Sequence, residues 1–489
     1  MEKKSGNQFN SEVMFKWIED MTNMGPRRAG SESGHQCENY LFDKLNEFGL
    51  QNVRKEKINV EYWEARSNSV AIFDGTEYRM LPSQWIPYAA FTGENGIEAE
   101  MVYADPAKLI HGSKWKGKIV VTDICFPELD VPLLRKFSMG VFDPDNNVNE
   151  IKHPATWVRI NWHFYRQAFQ KGAVGFIGIL KDQPGGSHRM YAPYGFKEKN
   201  ILDKPLPGFW ISRNDGPFLR ESAIKGMKAR LTLTGIKHPG QTHNIIGEIP
   251  GKNDEVIVIH CHHDSPFKSP VEDASGCSVI LALAKYFAEK QDLARTILIL
   301  FTAGHFYGSI GTRTFINQHK KDIVPRVVLE ISAEHIAKEA IEDQTGELVE
   351  SGRPEGTGFF VPFNSDMVNT VLRNVGNHHI DRVFLLPPEG PLGDYPPTDG
   401  GDWYEAGVPL INIISNPVYL LNAEDDFHWV MKERLPKIAS ALVDIIRDVD
   451  SMNREGIGKV EFKGFKLKMK LIKYLVRAKT TKLGTRPVY

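Results

Sequence analysis

The stretch HHDSPFKSPVEDASG, residues 262–276, concentrates the side chains that hold a metal ion. His262 and Asp264 stand two apart, Glu272 and Asp273 follow in the same loop, and Ser275-Gly276 opens the next segment. Imidazole and carboxylate donors gathered around one crevice outline a site for a hard-to-borderline cation. Taken singly, each of these residues reads as a helix cap or a surface acid; it is their order along one loop that points to metal. Two further apolar runs end on the same residue types: RTILILFTA leads to His305, and RVVLEIS leads to Glu334 and His335. His305 is either a further ligand, an imidazole that moves protons near neutral pH, or a ring filling space beside Phe306. His335 directly follows Glu334, so strand alternation predicts it on the opposite face and outside the site.

The elements that must position these residues follow from periodicity. From Glu255 the order is strand (VIVIH), helix (SVILALAKYFAEK), strand (RTILILFTA), helix (SIGTRTFINQH), strand (RVVLEIS). That alternation predicts an α/β fold, a three-layer αβα arrangement around a largely parallel mixed sheet. In such sheets chemistry lies beyond the carboxyl ends of the strands, where His262, His305 and Glu334 fall. Residues 11–24 and 31–48 read as helices, the second opened by Ser31 and stopped by Gly49, with the turn GPRRAG between them. A helix over 428–449 closes the domain. An insertion begins near Thr92, contains the buried strands of KWKGKIVVTDI and FQKGAVGFIGIL, and ends between Thr234 and Gly240. The expected organisation is a discontinuous catalytic domain (1–92 and 240–450), a β-rich inserted domain (93–239) and a basic tail (451–489).

Composition bounds the partners. The 489 residues are 41% hydrophobic and 25% charged with a net charge of -1, which speaks against nucleic acid as a partner. No run approaches the roughly eighteen apolar residues that span a bilayer, and the first residues carry no apolar leader, so a cytoplasmic protein without a transmembrane segment is expected. Cys37, Cys125, Cys261 and Cys277 lack CxxC spacing and are expected to be free thiols rather than disulfides or zinc ligands.

The order HxDS, an acid three residues before Ser-Gly, a strand running into AGHFYGSIGT, and a strand ending in an acid before Ile and a small residue resembles the zinc-dependent aminopeptidase family. That family includes glutamate carboxypeptidase and, as a non-catalytic relative, the transferrin receptor. KGKIVV and GAVGFIG resemble its protease-associated domain, and THNIIGEIPGK the strand that re-enters its catalytic domain. The resemblance runs to about residue 450. Active members bind two zinc ions bridged by a carboxylate. Carried over position by position, the resemblance implies that one ion's ligands persist as His262, Glu272 and Glu334, with Glu272 preferred by spacing and Asp273 by residue type. The ligands private to the other ion fall on Phe306 and near Leu421, and neither side chain binds zinc. One divalent ion is therefore expected, zinc first, with iron(II) or manganese also compatible, and His305 takes the place of the family's catalytic base. Asp264 is read as the group that orients His262.

The implied activity is metal-dependent hydrolysis of an amide or peptide-like bond in a small substrate, with His305 and Asp264 in catalytic roles. Two alternatives stand beside it: a non-hydrolytic mononuclear enzyme such as an iron-dependent oxygenase, and a partner-binding protein without activity. The loop PPTDGGDWYEAGVP, with Asp399, Asp402 and Trp403, is either substrate-facing or a plain turn. WVRINWHFY (157–165) and SHRMYAPYGF (187–196) suit a lid over an aromatic or anionic substrate, or local packing. The tail suits solvent, an anionic surface or a partner subunit, which leaves a homo-oligomer open.

Overall fold

The computed structural model describes residues 9–107, 115–152, 154–156, 162–192, 206–390 and 393–460. The basic run 461–489 lies outside the described residues, as do 157–161 and 193–196 of the two aromatic segments.

Strand Val256–His262 sends Ile257, Ile259 and Cys261 into one apolar core and Val256 and Val258 into another. Its neighbour Thr296–Thr302 repeats the pattern, with Ile297, Ile299 and Phe301 on one side and Leu298 and Leu300 on the other. Strands buried on both faces belong inside a parallel sheet covered by helices, where each large apolar side chain contributes about 1.5–3 kcal/mol by leaving water. Thr296–Thr302, Val256–His262, Val327–Ala333 and Leu410–Ser415 lie side by side in that order and run parallel. Helices Gly276–Lys290, Leu435–Ser451 and Ser11–Asn23 cover one face, and Ile310–Gln318 and Gly401–Glu405 the other. Trp403 is fully buried beside Phe315 on that second side, a core residue rather than a substrate-facing one.

Val256–His262 is central, and the next strands in sequence settle on opposite sides of it. This reversal of direction opens a crevice at the carboxyl ends, which is where ligands bind in such sheets. The predicted fold class is observed, and Ser31 caps helix Glu32–Glu47 by accepting from Gly34 N.

Strands Gln51–Phe73 and Lys228–Ile249 pair antiparallel from Gln51↔Glu248 to Ile72↔Ala229 and carry the chain into a second apolar core. That core reaches from Trp63 to Leu233 and also receives Phe306 and Leu421. Its strands Gly93–Tyr103, Ile119–Ile124, Gly175–Leu180 and Gly208–Ser212 are parallel neighbours, with helix Trp162–Gln170 between the second and third in sequence and helix Gly216–Ile224 after the fourth. Residues 93–239 are thus α/β in construction, more helical than their strand-and-turn text suggests. The four cysteines are free thiols. Among the described residues, no helix is long and apolar enough to cross a membrane.

Candidate metal centre

Each parallel strand delivers one part of the site. Val256–His262 ends on His262, which is fully buried and paired in register with Thr302. Its Nδ1 lies 2.9 Å from the carbonyl oxygen of Asp264, an acceptor, so Nδ1 carries a ring proton and Nε2 is left to face the crevice. Nε2 faces Glu272 Oε1 at 3.1 Å. Asp264 therefore orients His262 through its backbone carbonyl. Its carboxylate, 3.5 Å from Nδ1, accepts from His305 N at 3.1 Å instead.

His335 corrects the alternation argument. The strand Val327–Ala333 stops two residues earlier, and a φ of 57° at His335 turns its ring back into the crevice. His335 Nδ1 lies 2.9 Å from the Ser415 carbonyl oxygen, and Nε2 meets Glu272 Oε2 at 2.6 Å. Two imidazoles, each with Nδ1 against a backbone carbonyl, thus turn Nε2 to the two oxygens of one buried carboxylate. Lone pairs facing an anion in a dry crevice are stable only with positive charge between them, supplied by protons or by a metal ion. The donation of the far N–H to a carbonyl is the arrangement of a metal-bound histidine. Asp273 adds a buried oxygen, Oδ2, with no hydrogen-bond partner among the described residues. Imidazole and carboxylate are the donor types that suit a divalent cation of the zinc class.

In their absence protons do the work. Burial alone would lower His335, but the Glu272 carboxylate outweighs it and raises the imidazole to about 10. His262 is likewise raised against burial, by Asp399, Asp264 and Glu272. Burial would raise Glu272, yet the facing His335 and His262 hold it well below the usual carboxylate range. Glu334, which accepts from Asp399 N at 2.9 Å, is pushed up to about 8 by burial and by the Asp399 charge.

His305 lies over His262, ring centroids 4.1 Å apart and 19° from parallel. Its Nδ1 is 3.0 Å from Asp399 Oδ1, while Asp399 Oδ2 accepts from His262 N at 2.6 Å. One ligand atom each from His262, His305 and Asp399 lies within 4.8 Å of the others. Asp399, left between turn and substrate contact by its sequence context, is in the centre. Phe306 closes the far side, edge-on to His262 at 5.7 Å and to Tyr191 at 5.5 Å. Leu421, whose carbonyl accepts from Tyr191 N, belongs to the same apolar cluster.

Two supports escaped sequence reasoning. Arg27, from the GPRRAG turn, is buried and donates to the carbonyls of His263, Lys268, Ser269 and Glu272, so one guanidinium staples the whole metal loop. Asp425 accepts from Val271 N and Glu272 N at 3.1 and 3.0 Å. At the loop's end only glycine fits at Gly276, because a Cβ there would lie 2.1 Å from the Ala333 carbonyl oxygen. Replacing Arg27 with alanine is expected to weaken metal binding about 10–100-fold, the usual cost of losing an outer support. Competition with a chromophoric chelator checks it, and an unchanged affinity counts against the staple.

Residues 244–443 match the model of peptidase family M28. The chain is 22% identical over 453 residues to carboxypeptidase Q of Mus musculus, covering 88% of this chain and 84% of the relative. Against carboxypeptidase Q of Xenopus laevis it is 23% identical over 312 residues and spans 60% of that protein's length. The fold is similar to a zinc aminopeptidase of Bacillus subtilis, with TM-score 0.65, 16% identity and coverage of 92% of this chain and 98% of the other. It is also similar to a peptidase M28 precursor of Shewanella amazonensis, with TM-score 0.66, 18% identity and coverage of 90% and 93%.

Proposed function

We propose that this chain, whose residues 244–443 match the model of peptidase family M28, is a member of that family and hydrolyses an amide or peptide-like bond of a small substrate with a divalent metal ion at the crevice. The observation that carries this reading is the pair of ring nitrogens, His262 Nε2 and His335 Nε2, that meet the two oxygens of the buried Glu272 carboxylate. Two imidazoles and a glutamate with a position left open form a donor set of catalytic zinc sites. His262, Glu272 and His335 would hold the ion, with Glu334 beside them. A single zinc ion is favoured because Phe306 and Leu421 make the other half of the crevice apolar. When bound, such an ion polarises a carbonyl and lowers the pKa of water.

His305 is assigned to the proton rather than to the ion. Imidazole lone pairs lie in the ring plane, so two nearly parallel stacked rings direct theirs side by side instead of toward one point. Asp399 accepts from His305 Nδ1, which leaves Nε2 as the basic nitrogen, able to take a proton from an attacking water and deliver it to a leaving amine. Burial would raise Asp399, but the His262 charge and the His305 hydrogen bond hold it well below the usual range, so it stays ionised. Trp85 and Tyr191, with Arg28 over both rings at 5.1 and 5.6 Å, support a substrate of aromatic or anionic character. The family match supports neither an iron-dependent oxygenase nor a purely partner-binding protein.

The test is hydrolysis of a di- and tripeptide panel by protein stripped with chelator and reloaded. Activity is expected to vanish on stripping and to reach its plateau with the first equivalent of Zn2+; cleavage that survives stripping overturns the reading. Loading also carries a pH signature. Below about 8 Glu334 is mainly protonated and below about 10 His335 is, so a cation entering at pH 7 expels protons and its affinity rises with pH. The expected slope is about tenfold per pH unit for each proton released. Calorimetry in two buffers of different ionisation heat counts the protons; a count of zero at pH 7 excludes this ligand set.

A further inference from the structure

Away from the crevice, helix Glu32–Glu47 lies against strand Lys228–Ile249. His35 and Glu38, three apart, share a face of the helix, and the strand brings His243 to the same spot. We propose that His35, Glu38 and His243 form a second, peripheral site for a transition-metal cation of the Zn2+, Co2+ or Ni2+ class.

The two ring nitrogens converge on one atom: His35 Nδ1 is 2.9 Å and His243 Nδ1 is 2.7 Å from Glu38 Oε2. One ligand atom from each residue lies within 4.8 Å of the other two. The imidazoles are tilted 57° to each other with centroids 6.0 Å apart, so their in-plane lone pairs meet, unlike those of the stacked pair in the crevice. The carboxylate is held independently of any cation: Thr242 Oγ1 donates to Oε1 at 2.6 Å and His243 N at 3.0 Å. Glu38 is thus locked through one oxygen and presents the other.

Burial grades the site from floor to mouth. The Glu38 side chain is 2% exposed, those of His243 and His35 26% and 37%. A fixed carboxylate below two solvent-edged imidazoles leaves room for water as the remaining ligand, and two imidazoles with one carboxylate select transition metals over Mg2+ or Ca2+. The site abuts the back of the crevice, since His263, next to His262, has its Nε2 3.0 Å from the His243 carbonyl oxygen.

The experiment is titration of the stripped full-length protein with Co2+, read by d–d absorption, and with Zn2+, read by calorimetry, for wild type, His35→Gln, His243→Gln and His262→Ala. Wild type is expected to bind one equivalent more than His35→Gln or His243→Gln, or to bind it at least about 100-fold more tightly, a larger effect than loss of an outer partner. His262→Ala should keep this equivalent while losing the one in the crevice. Equal stoichiometry and affinity in wild type and His35→Gln overturns the proposal and reduces the cluster to a hydrogen-bonded His-Glu-His triad. His35 is the more exposed of the two imidazoles, so its variant carries the test even if His243→Gln unfolds.

Discussion

Substitution of His262 by alanine is expected to remove the metal ion from the crevice and to lower kcat/KM on a small peptide by about a thousandfold or more. The magnitude follows from transition-state stabilisation of several kcal/mol by a bound cation, each 1.36 kcal/mol being about tenfold in rate. The direction follows from position: His262 is the ring whose Nδ1–H is given to the Asp264 carbonyl and whose Nε2 meets Glu272. Glu272→Gln should do the same by a different route, because it keeps the volume and removes the anion that both imidazoles face. His335→Ala should cost the ion as well, which separates a His262, Glu272, His335 set from one in which Glu334 replaces His335. Because His262 is fully buried, His262→Asn serves beside alanine to limit the cavity. Elemental analysis and peptide hydrolysis read all four proteins. Retention of the ion by His262→Ala, with most of the activity, would mean that the centre lies elsewhere.

What could be read from the chain alone was governed by how local each signal is. The αβα architecture was legible because strands such as VIVIH and RTILILFTA alternate with helices such as SVILALAKYFAEK along the chain. Helix starts were legible because Ser31 caps its own helix three residues on. His262 and Glu272 share a loop ten residues long, so spacing alone brought them together. His335 was lost because alternation was extended past the true end of its strand, into a residue of positive φ. Asp399 meets His305 across 94 residues of sequence and Arg27 meets Glu272 across 245, distances over which no pattern in the text constrains contact. The second core followed the same rule. Its strands were recognisable one by one, whereas its reach back to Trp63 depends on a pairing between Gln51–Phe73 and Lys228–Ile249.

Asp399→Asn is expected to lower kcat by about a hundred- to ten-thousandfold while leaving the metal in place, the range in which positioned acid–base groups act. The amide keeps the size of the side chain but loses the charge that His305 Nδ1 and the His262 backbone N–H both point to. It can also donate to His305, which would draw the ring into the other tautomer and turn the basic nitrogen away from the substrate. His305→Gln should match it in kcat, and the double variant should lose little more than either single one, since the two residues act as a unit. Metal content makes the experiment decisive between roles. A His305 that ligates the ion would take it away on substitution, whereas a His305 that carries protons leaves it bound while kcat falls. The stacking of His305 on His262 at 4.1 Å favours the second outcome, because the two rings cannot aim their lone pairs at one ion without parting.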